Sequence, residues 1–444
     1  MGFKKLEENV IRNNLCSGCG TCVGICPTKC IKIELSEYQN PIMTNAEKCI
    51  ECGLCFDVCP GIGFNFKRKV GLENEIKYNK LLGYYHSFYT GHSINEDIRI
   101  KSASGGMATS LIHYLLEQKI VDKALIVGME NGVPTIKVVD NYNDLLSGMQ
   151  SKYGYVPVNS KIREINDSNE KYVMVGLPCH FQGLEKSSKF LKNLNDNIIF
   201  KIGLLCGYTQ TYDVIDFIAK RLGINNIDEY SFLGWREGEY PGNMAFQHND
   251  SGEIIYKPLY EWLAISVPFF SMNRCFLCAD GVNELADIVL GDVHSNGNEE
   301  NVILIRNLYA KKILEEAQNK KYIDTKEIDL KTAMKYPIGS VARVKRKAPL
   351  VIIDYLIKKN KSVPIYNLEL DEVSRISRNL ILIKYKIYDF IRKKRIREFI
   401  LTFPKLAEFI GDFAYRFPNS LPGINLFVYI YRKFRKSDSY GSKF

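Results

Sequence analysis

The sequence has no run of about 18 consecutive apolar residues, the length that a membrane-spanning helix requires. Its opening stretch, MGFKKLEENVIRNN, lacks the apolar core of a secretory signal peptide. The expected location is therefore the cytoplasm, where thiols stay reduced and structural disulfides are rare. A G-x-G-x-x-G fingerprint is also missing, so a Rossmann dinucleotide site is not supported. Histidine is scarce, and His86, His92, His113, His180, His248 and His294 show no metal spacing. His180, beside Cys179, could tune a metal group or relay a proton, but a surface histidine is the plainer expectation. No residue stands out as acid, base or nucleophile, as expected where a cofactor carries the chemistry.

At 444 residues and 46% hydrophobic content, the chain is long enough for two or three domains with their own cores. Its formal charge of +10 is unevenly placed: from residue 371 onward 16 Lys and Arg stand against 7 Asp and Glu, which leaves the preceding residues near neutral. No binding module accompanies that charge, so nucleic acid is not an expected partner.

Cysteine, by contrast, is plentiful. Thirteen in a chain expected to stay reduced point to metal binding or redox chemistry. Cys16, Cys19, Cys22 and Cys26 followed by Pro27 spell C-x2-C-x2-C-x3-C-P, and Cys49, Cys52, Cys55 and Cys59 followed by Pro60 repeat it. In two-cluster ferredoxins three closely spaced thiolates serve one cubane, while the fourth serves its neighbour. By that rule Cys16, Cys19, Cys22 and Cys59 hold one 4Fe-4S cluster, and Cys49, Cys52, Cys55 and Cys26 hold the other. Gly18, Gly20 and Gly53 would let backbone amides approach the sulfurs. Zinc knuckles are the alternative, although they usually pair two C-x-x-C arms across a longer loop. Residues 14–66 resemble a bacterial ferredoxin domain, with IKIEL and the segment around PIMTN as short strands. Cys30 lies outside both quartets and is expected to be a small buried residue.

Cys179, Cys206, Cys275 and Cys278 remain. KYVMVGLPC and NIIFKIGLLC each read as a buried strand delivering a thiol at its carboxyl end, where open α/β sheets gather ligands. RCFLCAD supplies a C-x-x-C pair suited to zinc or to iron and sulfur, and ADIVLGD is a further short strand. Singly, each cysteine would pass as a buried small hydrophobe. In order, SASGG at 102–106, GLPC at 176–179, GLLC at 203–206, CFLCAD at 275–280 and ADIVLGD at 286–292 resemble the family of coenzyme F420 hydrogenase/dehydrogenase beta subunits, over roughly residues 14–300. The resemblance implies a third 4Fe-4S cluster on Cys179, Cys206, Cys275 and Cys278, beside a flavin, FAD or FMN.

The same resemblance gives meaning to weaker signals. In KSASGGMATSLIHYLLEQKIVDKALIVG a Ser/Gly loop precedes a helix expected over 107–118 and a strand over 124–127. Ser104 would cap the helix, while Gly105 and Gly106 would open backbone N–H groups to a phosphate, with Ser102 in the same loop. Ordinary helix capping explains that pattern as well. SKYGYVPV at 151–158 resembles the family's S-K-Y segment, Ser151, Lys152 and Tyr153. There Lys152 would balance the charge of a flavin or substrate, or else be a solvated lysine. Asp292 would contact ribose or the ring edge, or cap the next turn.

Over 379–401, Leu380, Ile383, Ile387, Phe390 and Ile391 recur at helical spacing among Lys384, Arg392, Lys393, Lys394, Arg395 and Arg397. A second piece, 406–413, follows Pro404, and FPNSLPGINLFVYIYRKFRK comes later. A basic amphipathic helix can lie on an anionic membrane surface or dock on a partner; otherwise it covers the main domain. The expected fold class is α/β: a ferredoxin domain over 1–66, a linker near 67–83, a larger flavin and iron-sulfur domain over 84–360, and a helical tail over 371–444. The function implied by the resemblance is a flavin-dependent iron-sulfur oxidoreductase that interconverts hydride transfer and one-electron transfer. Its expected partners are a small-molecule hydride donor or acceptor and a redox protein or electron carrier. The competing readings are an iron-sulfur scaffold and a non-catalytic electron-transfer subunit.

Overall fold

The computed structural model describes residues 2–34, 40–66, 75–130, 132–293, 300–369 and 372–416. An eight-stranded mixed sheet forms its centre. In chain order the strands are β1 (Ser87–Ser93), β2 (Lys123–Glu130), β3 (Val133–Val139), β4 (Tyr172–Gly176), β5 (Ile198–Leu204), β6 (Ile288–Asp292), β7 (Asn301–Ile305) and β8 (Ile323–Ile328). Their spatial order is β8-β1-β7-β6-β5-β4-β2-β3. β2, β4, β5 and β6 run parallel, and antiparallel strands flank them on both sides. The inner strands read YVMVG, IIFKIGL and IVLGD, near-continuous apolar runs of the kind that sheets covered on both faces require.

One face packs on helices α1 (Met107–Glu117) and, later in the chain, Leu308–Asn319. The other face merges its core with the cysteine-rich N-terminal segment, so that Val10, Ile25 and Val58 share an apolar cluster with Met174 and Val289. The segment's short strands, Ile31–Ile33 and Pro41–Met43, pair antiparallel. Asn159 joins it to the body: its backbone N–H donates to the Cys19 carbonyl at 3.0 Å, and its amide donates to Thr21 Oγ1 at 2.9 Å and the His180 carbonyl at 2.7 Å. Gly20 has φ +82°, and a Cβ there would run into the Pro157 carbonyl, so this close approach depends on glycine. Further along, Ile365–Tyr366 pairs in parallel with Gly63–Phe64, returning the chain to the N-terminal segment. Within the expected linker, Lys77–Asn79 and Gly83–Tyr85 pair as antiparallel strands; residues 67–74 lie outside the described residues.

The tail is three helices: Arg375–Ile391, Lys394–Thr402 and Pro404–Arg416. The single helix expected over 379–401 breaks at Arg392 and Lys393. Tyr388, Ile391, Ile400, Ala407 and Ala414 pack with Leu259, Trp262 and Phe269 of helix Leu259–Phe270 in a separate apolar cluster. Part of the tail's apolar surface is therefore spent on the body. Residue 371 and residues 417–444, including FPNSLPGINLFVYIYRKFRK, lie outside the described residues. Among the described residues no helix is long and apolar enough to cross a membrane.

Candidate functional site

The parallel strands deliver the motifs to one edge. β4 ends at Gly176, and α2 (Pro178–Ser187) starts at once, which puts Cys179 in its first turn. β5 ends at Leu204, two residues before Cys206, and β6 ends at Asp292. A cavity of about 500 Å³ opens at these carboxyl ends, the usual ligand position in an open α/β sheet. Ser102, Ser104, Gly106, Ser151, Lys152, Tyr153, Asp292 and Cys206 all line it. Gly105 does not; a Cβ there would stand 2.8 Å from the Gly91 carbonyl oxygen and 2.9 Å from the Asn301 nitrogen, so it serves close packing.

Several side chains differ from expectation. Ser104 does not cap α1: its hydroxyl donates to the Glu300 carbonyl at 2.6 Å. Gly106, at φ +76°, occupies the cap position instead and brings no capping side chain of its own; Asn301 Oδ1 accepts from the Met107 N–H at 3.3 Å. His180 is buried rather than at the surface. Burial lowers its pKa to about 4, and its Nδ1 accepts from the Leu177 N–H at 3.1 Å, so it is a neutral imidazole closing the start of α2. Lys152 is no solvated lysine either. Its ammonium donates to the carbonyls of Gly148 at 2.9 Å, Gln150 at 3.2 Å and Met149, and burial lowers its pKa to about 7.

The Asp292 carboxylate accepts from Arg236 Nη1 at 2.7 Å; the turn it is expected to cap falls at 294–299, outside the described residues. Arg236 lies in the strand Tyr230–Glu237 of a separate three-stranded sheet, is 2% exposed, and donates through Nε to the Pro241 carbonyl at 2.7 Å. Its Nη2 has no hydrogen-bond partner among the described residues. Gln150 Oε1 and Gln210 Oε1, on residues that also line the cavity, are likewise unsatisfied. Tyr415 of the tail completes the lining. No motif marks Arg236 or Tyr415, and only the fold brings them in.

The cysteines fall into three neighbourhoods. Burial pushes the Cys22 thiol well up, and Cys16, Cys59 and Cys19 add to that. Burial likewise raises Cys59 to about 11, with Cys19 next. Cys55 is raised to about 12 by burial, then by Cys52, with Cys26 and Cys49 contributing; a small hollow is lined by Cys26, Cys30, Cys49, Cys52 and Cys55. Cys179 is raised by burial and then by Cys19, Cys206, Cys278 and Cys275, so it faces both the third set and the first. Cys30 is buried, with its sulfur 3.6 Å from that of Cys26. N–H groups reach the sulfurs from Gly18 to Cys16 at 3.4 Å and from Gly61 to Cys59 at 3.3 Å.

Among the described residues no three His, Cys, Asp or Glu side chains converge on a point that a single ion would fill. Buried thiols whose ionisation is suppressed need a metal's positive charge to become ligands. The donor chemistry therefore fits iron and sulfur.

Buried thiol sets joined to a cavity at the edge of a mixed sheet define an oxidoreductase-type iron-sulfur subunit. Residues 88–163 and 169–331 match the N-terminal and C-terminal models of the coenzyme F420 hydrogenase/dehydrogenase beta subunit, and residues 8–60 match a 4Fe-4S dicluster domain. The chain belongs to the family of these beta subunits. It is 26% identical to a coenzyme F420-dependent sulfite reductase of Methanocaldococcus jannaschii over 73% of this chain and 49% of the relative, and so spans about half the length of that protein. It is 25% identical to the beta subunit, in Methanothermobacter thermautotrophicus, that belongs to a coenzyme F420 hydrogenase, over 56% of this chain and 87% of the relative. A chain of the F420-reducing NiFe hydrogenase complex from Methanosarcina barkeri shares its fold, with TM-score 0.53 and 22% identity over 65% of this chain and 98% of the other.

Proposed function

We propose that the chain is a flavin-dependent iron-sulfur oxidoreductase with FAD or FMN in the cavity and three 4Fe-4S clusters on its cysteine sets. The observation that carries this reading is a shared wall: Cys206 lines the cavity, and burial and then Cys275 raise its thiol. A bound flavin supplies two-electron, hydride-type chemistry and the clusters supply one-electron transfer. The residues bind and orient. The first turn of α1, opened by Gly106, offers backbone N–H groups to a phosphate. Arg236 Nη2 is a donor awaiting an anionic oxygen, and Asp292 holds that guanidinium in one plane. Lys152, anchored by carbonyls, gains its proton most readily when an anion lies near. The cavity volume is within the range of small-molecule sites, and Ile126, Val175 and Leu290 give it apolar walls that exclude water. Cys179 links the third set to Cys19, and Cys52 of the outer set is exposed, the side from which a redox partner protein would exchange electrons. Because relatives carry coenzyme F420 in their names, a deazaflavin is the first hydride partner to try.

Anaerobic purification with cofactor extraction tests the reading. The expected yield is about one flavin and about twelve irons per chain. Full iron without flavin would leave a non-catalytic electron-transfer subunit, and colourless material would refute both.

The tail supports a contact with an anionic lipid surface. Phe390, Phe399, Phe403 and Phe409 remain 55%, 62%, 49% and 42% exposed, interspersed with Lys386, Lys393, Arg395 and Lys405. Exposed aromatics among cations suit the headgroup boundary of acidic membranes. Flotation with phosphatidylserine vesicles should carry the protein upward, and equal behaviour with neutral phosphatidylcholine would overturn the idea.

A further inference from the structure

Arg274 stands between two of the cysteine sets. Its backbone leads straight into Cys275, while its Nη2 donates to the carbonyl of Pro60, the residue after Cys59, at 2.9 Å and to the Tyr366 hydroxyl at 2.7 Å. It is 4% exposed, its Nε and Nη1 have no hydrogen-bond partner among the described residues, and among those residues it forms no ion pair with a carboxylate. A buried guanidinium without a counter-charge is strongly unfavourable. Negative charge is available from the thiolates on either side. Lys186 and Lys345 work nearby, donating to the Cys59 carbonyl at 2.8 Å and the Cys275 carbonyl at 2.7 Å.

We propose that Arg274 is a positioning residue that raises the reduction potentials of two clusters together, the one on Cys16, Cys19, Cys22 and Cys59 and the one on Cys179, Cys206, Cys275 and Cys278. The inference rests on the cluster assignment made above. One-electron reduction adds a unit of negative charge to a cluster, and a fixed cation buried between two of them, poorly screened by solvent, favours that addition at both. The outer set on Cys26, Cys49, Cys52 and Cys55 is the internal control, because the Arg274 hydrogen bonds end beside Cys59 and its backbone continues into Cys275.

The test is an EPR-monitored redox titration of the full chain, purified without oxygen, as the unsubstituted protein and as Arg274→Met, Arg274→Lys and Tyr366→Phe. In R274M two of three waves should move to lower potential by at least tenfold in the reduction equilibrium, about 59 mV for a one-electron couple, while the third stays. R274K keeps the charge and should hold all waves within about threefold. Y366F removes the hydroxyl but not the cation and should do the same. Should R274M lose iron, R274Q takes its place. Unmoved waves at full iron, three waves moving alike, or Y366F reproducing the R274M shifts would overturn the proposal, the last by making Arg274 a mechanical clamp. Iron and sulfide analysis of the unsubstituted chain reads the cluster assignment separately: a shortfall refutes that assignment and this one with it, whereas full iron with unmoved waves refutes Arg274 alone.

Discussion

Replacing Arg236 by methionine should weaken flavin binding more than it weakens the fold. Three donor nitrogens disappear in that variant. Two of them leave the Asp292 carboxylate and the Pro241 carbonyl short of a partner, but the Asp292 side chain is 27% exposed, so water replaces part of the loss. The cost to the fold should then be about 1–3 kcal/mol, below the roughly 3–5 kcal/mol for breaking a fully buried pair. The third donor, Nη2, has no hydrogen-bond partner among the described residues, so its removal should fall chiefly on the ligand. A hydrogen bond from a charged donor contributes about 1.5–3 kcal/mol, or roughly 10- to 150-fold in Kd. The assay is fluorescence titration of FAD into reversibly deflavinated protein, alongside urea unfolding of each variant. R236K keeps the charge without the planar fork and should recover only part of the affinity. Asp292→Asn loosens the anchor but keeps the donor, and should cost less than R236M. If R236M binds FAD as tightly as the unsubstituted chain, Nη2 does not face the ligand and the reasoning fails.

Lys152 gives the cavity a pH dependence of definite sign. Burial holds its folded pKa at about 7, below the ordinary 10.5, so between those values the unfolded chain binds more protons and this residue adds stability as pH rises. Binding of an anion that requires the ammonium runs the other way, weakening by up to about tenfold per pH unit above about pH 7; Lys152→Met should flatten both profiles, and an unchanged slope would remove Lys152 from the site. Cys179→Ala should lose about four irons per chain, whereas Cys30→Ala should lose none, as elemental analysis can decide. Truncation after residue 369 strips Tyr388, Ile391 and Ile400 from Leu259, Trp262 and Phe269. At about 1.5–3 kcal/mol for each large apolar side chain the body should lose several kcal/mol, seen as aggregation or a lower unfolding midpoint, and an unchanged midpoint would show that the tail does not cover the core.

How far the site is legible in the sequence depends on how far apart its atoms lie along the chain. The N-terminal quartets are readable because rigid spacing within a few residues restricts where the thiols can go. The set from Cys179 to Cys278 spans two strands and a C-x-x-C loop, so it is recognisable only as an ordered series of motifs. Arg236 is unreadable. It sits in YSFLGWRE beside Trp235, in a stretch whose composition announces packing, and its partner Asp292 lies on a different sheet. Ser104 and His180 mislead for a related reason: the plain expectations of a capping serine and a surface histidine are local, whereas Glu300 and the N-terminal segment that claim their surroundings are distant. The tail's periodicity reveals an apolar stripe but not what covers it.

The buried charges lead one step further. Lys345 and Arg274 are 3% and 4% exposed, and each is held above its ordinary pKa by neighbours that include Cys275 and Cys278. The thiols are themselves disfavoured as anions by burial. Each half is unfavourable alone, and the two become compatible only when the thiols are ionised, as they are when bound to metal. Because Arg274 and Lys186 hold the Pro60 and Cys59 carbonyls, the same ionisation tightens the joint between the N-terminal segment and the sheet. Metal loading should therefore stabilise that joint as well as fill the sites: hydrogen exchange at residues 59–64 and 365–366 should quicken when iron is removed with an anaerobic chelator, and protection that survives complete iron loss would show that the joint is built by packing alone.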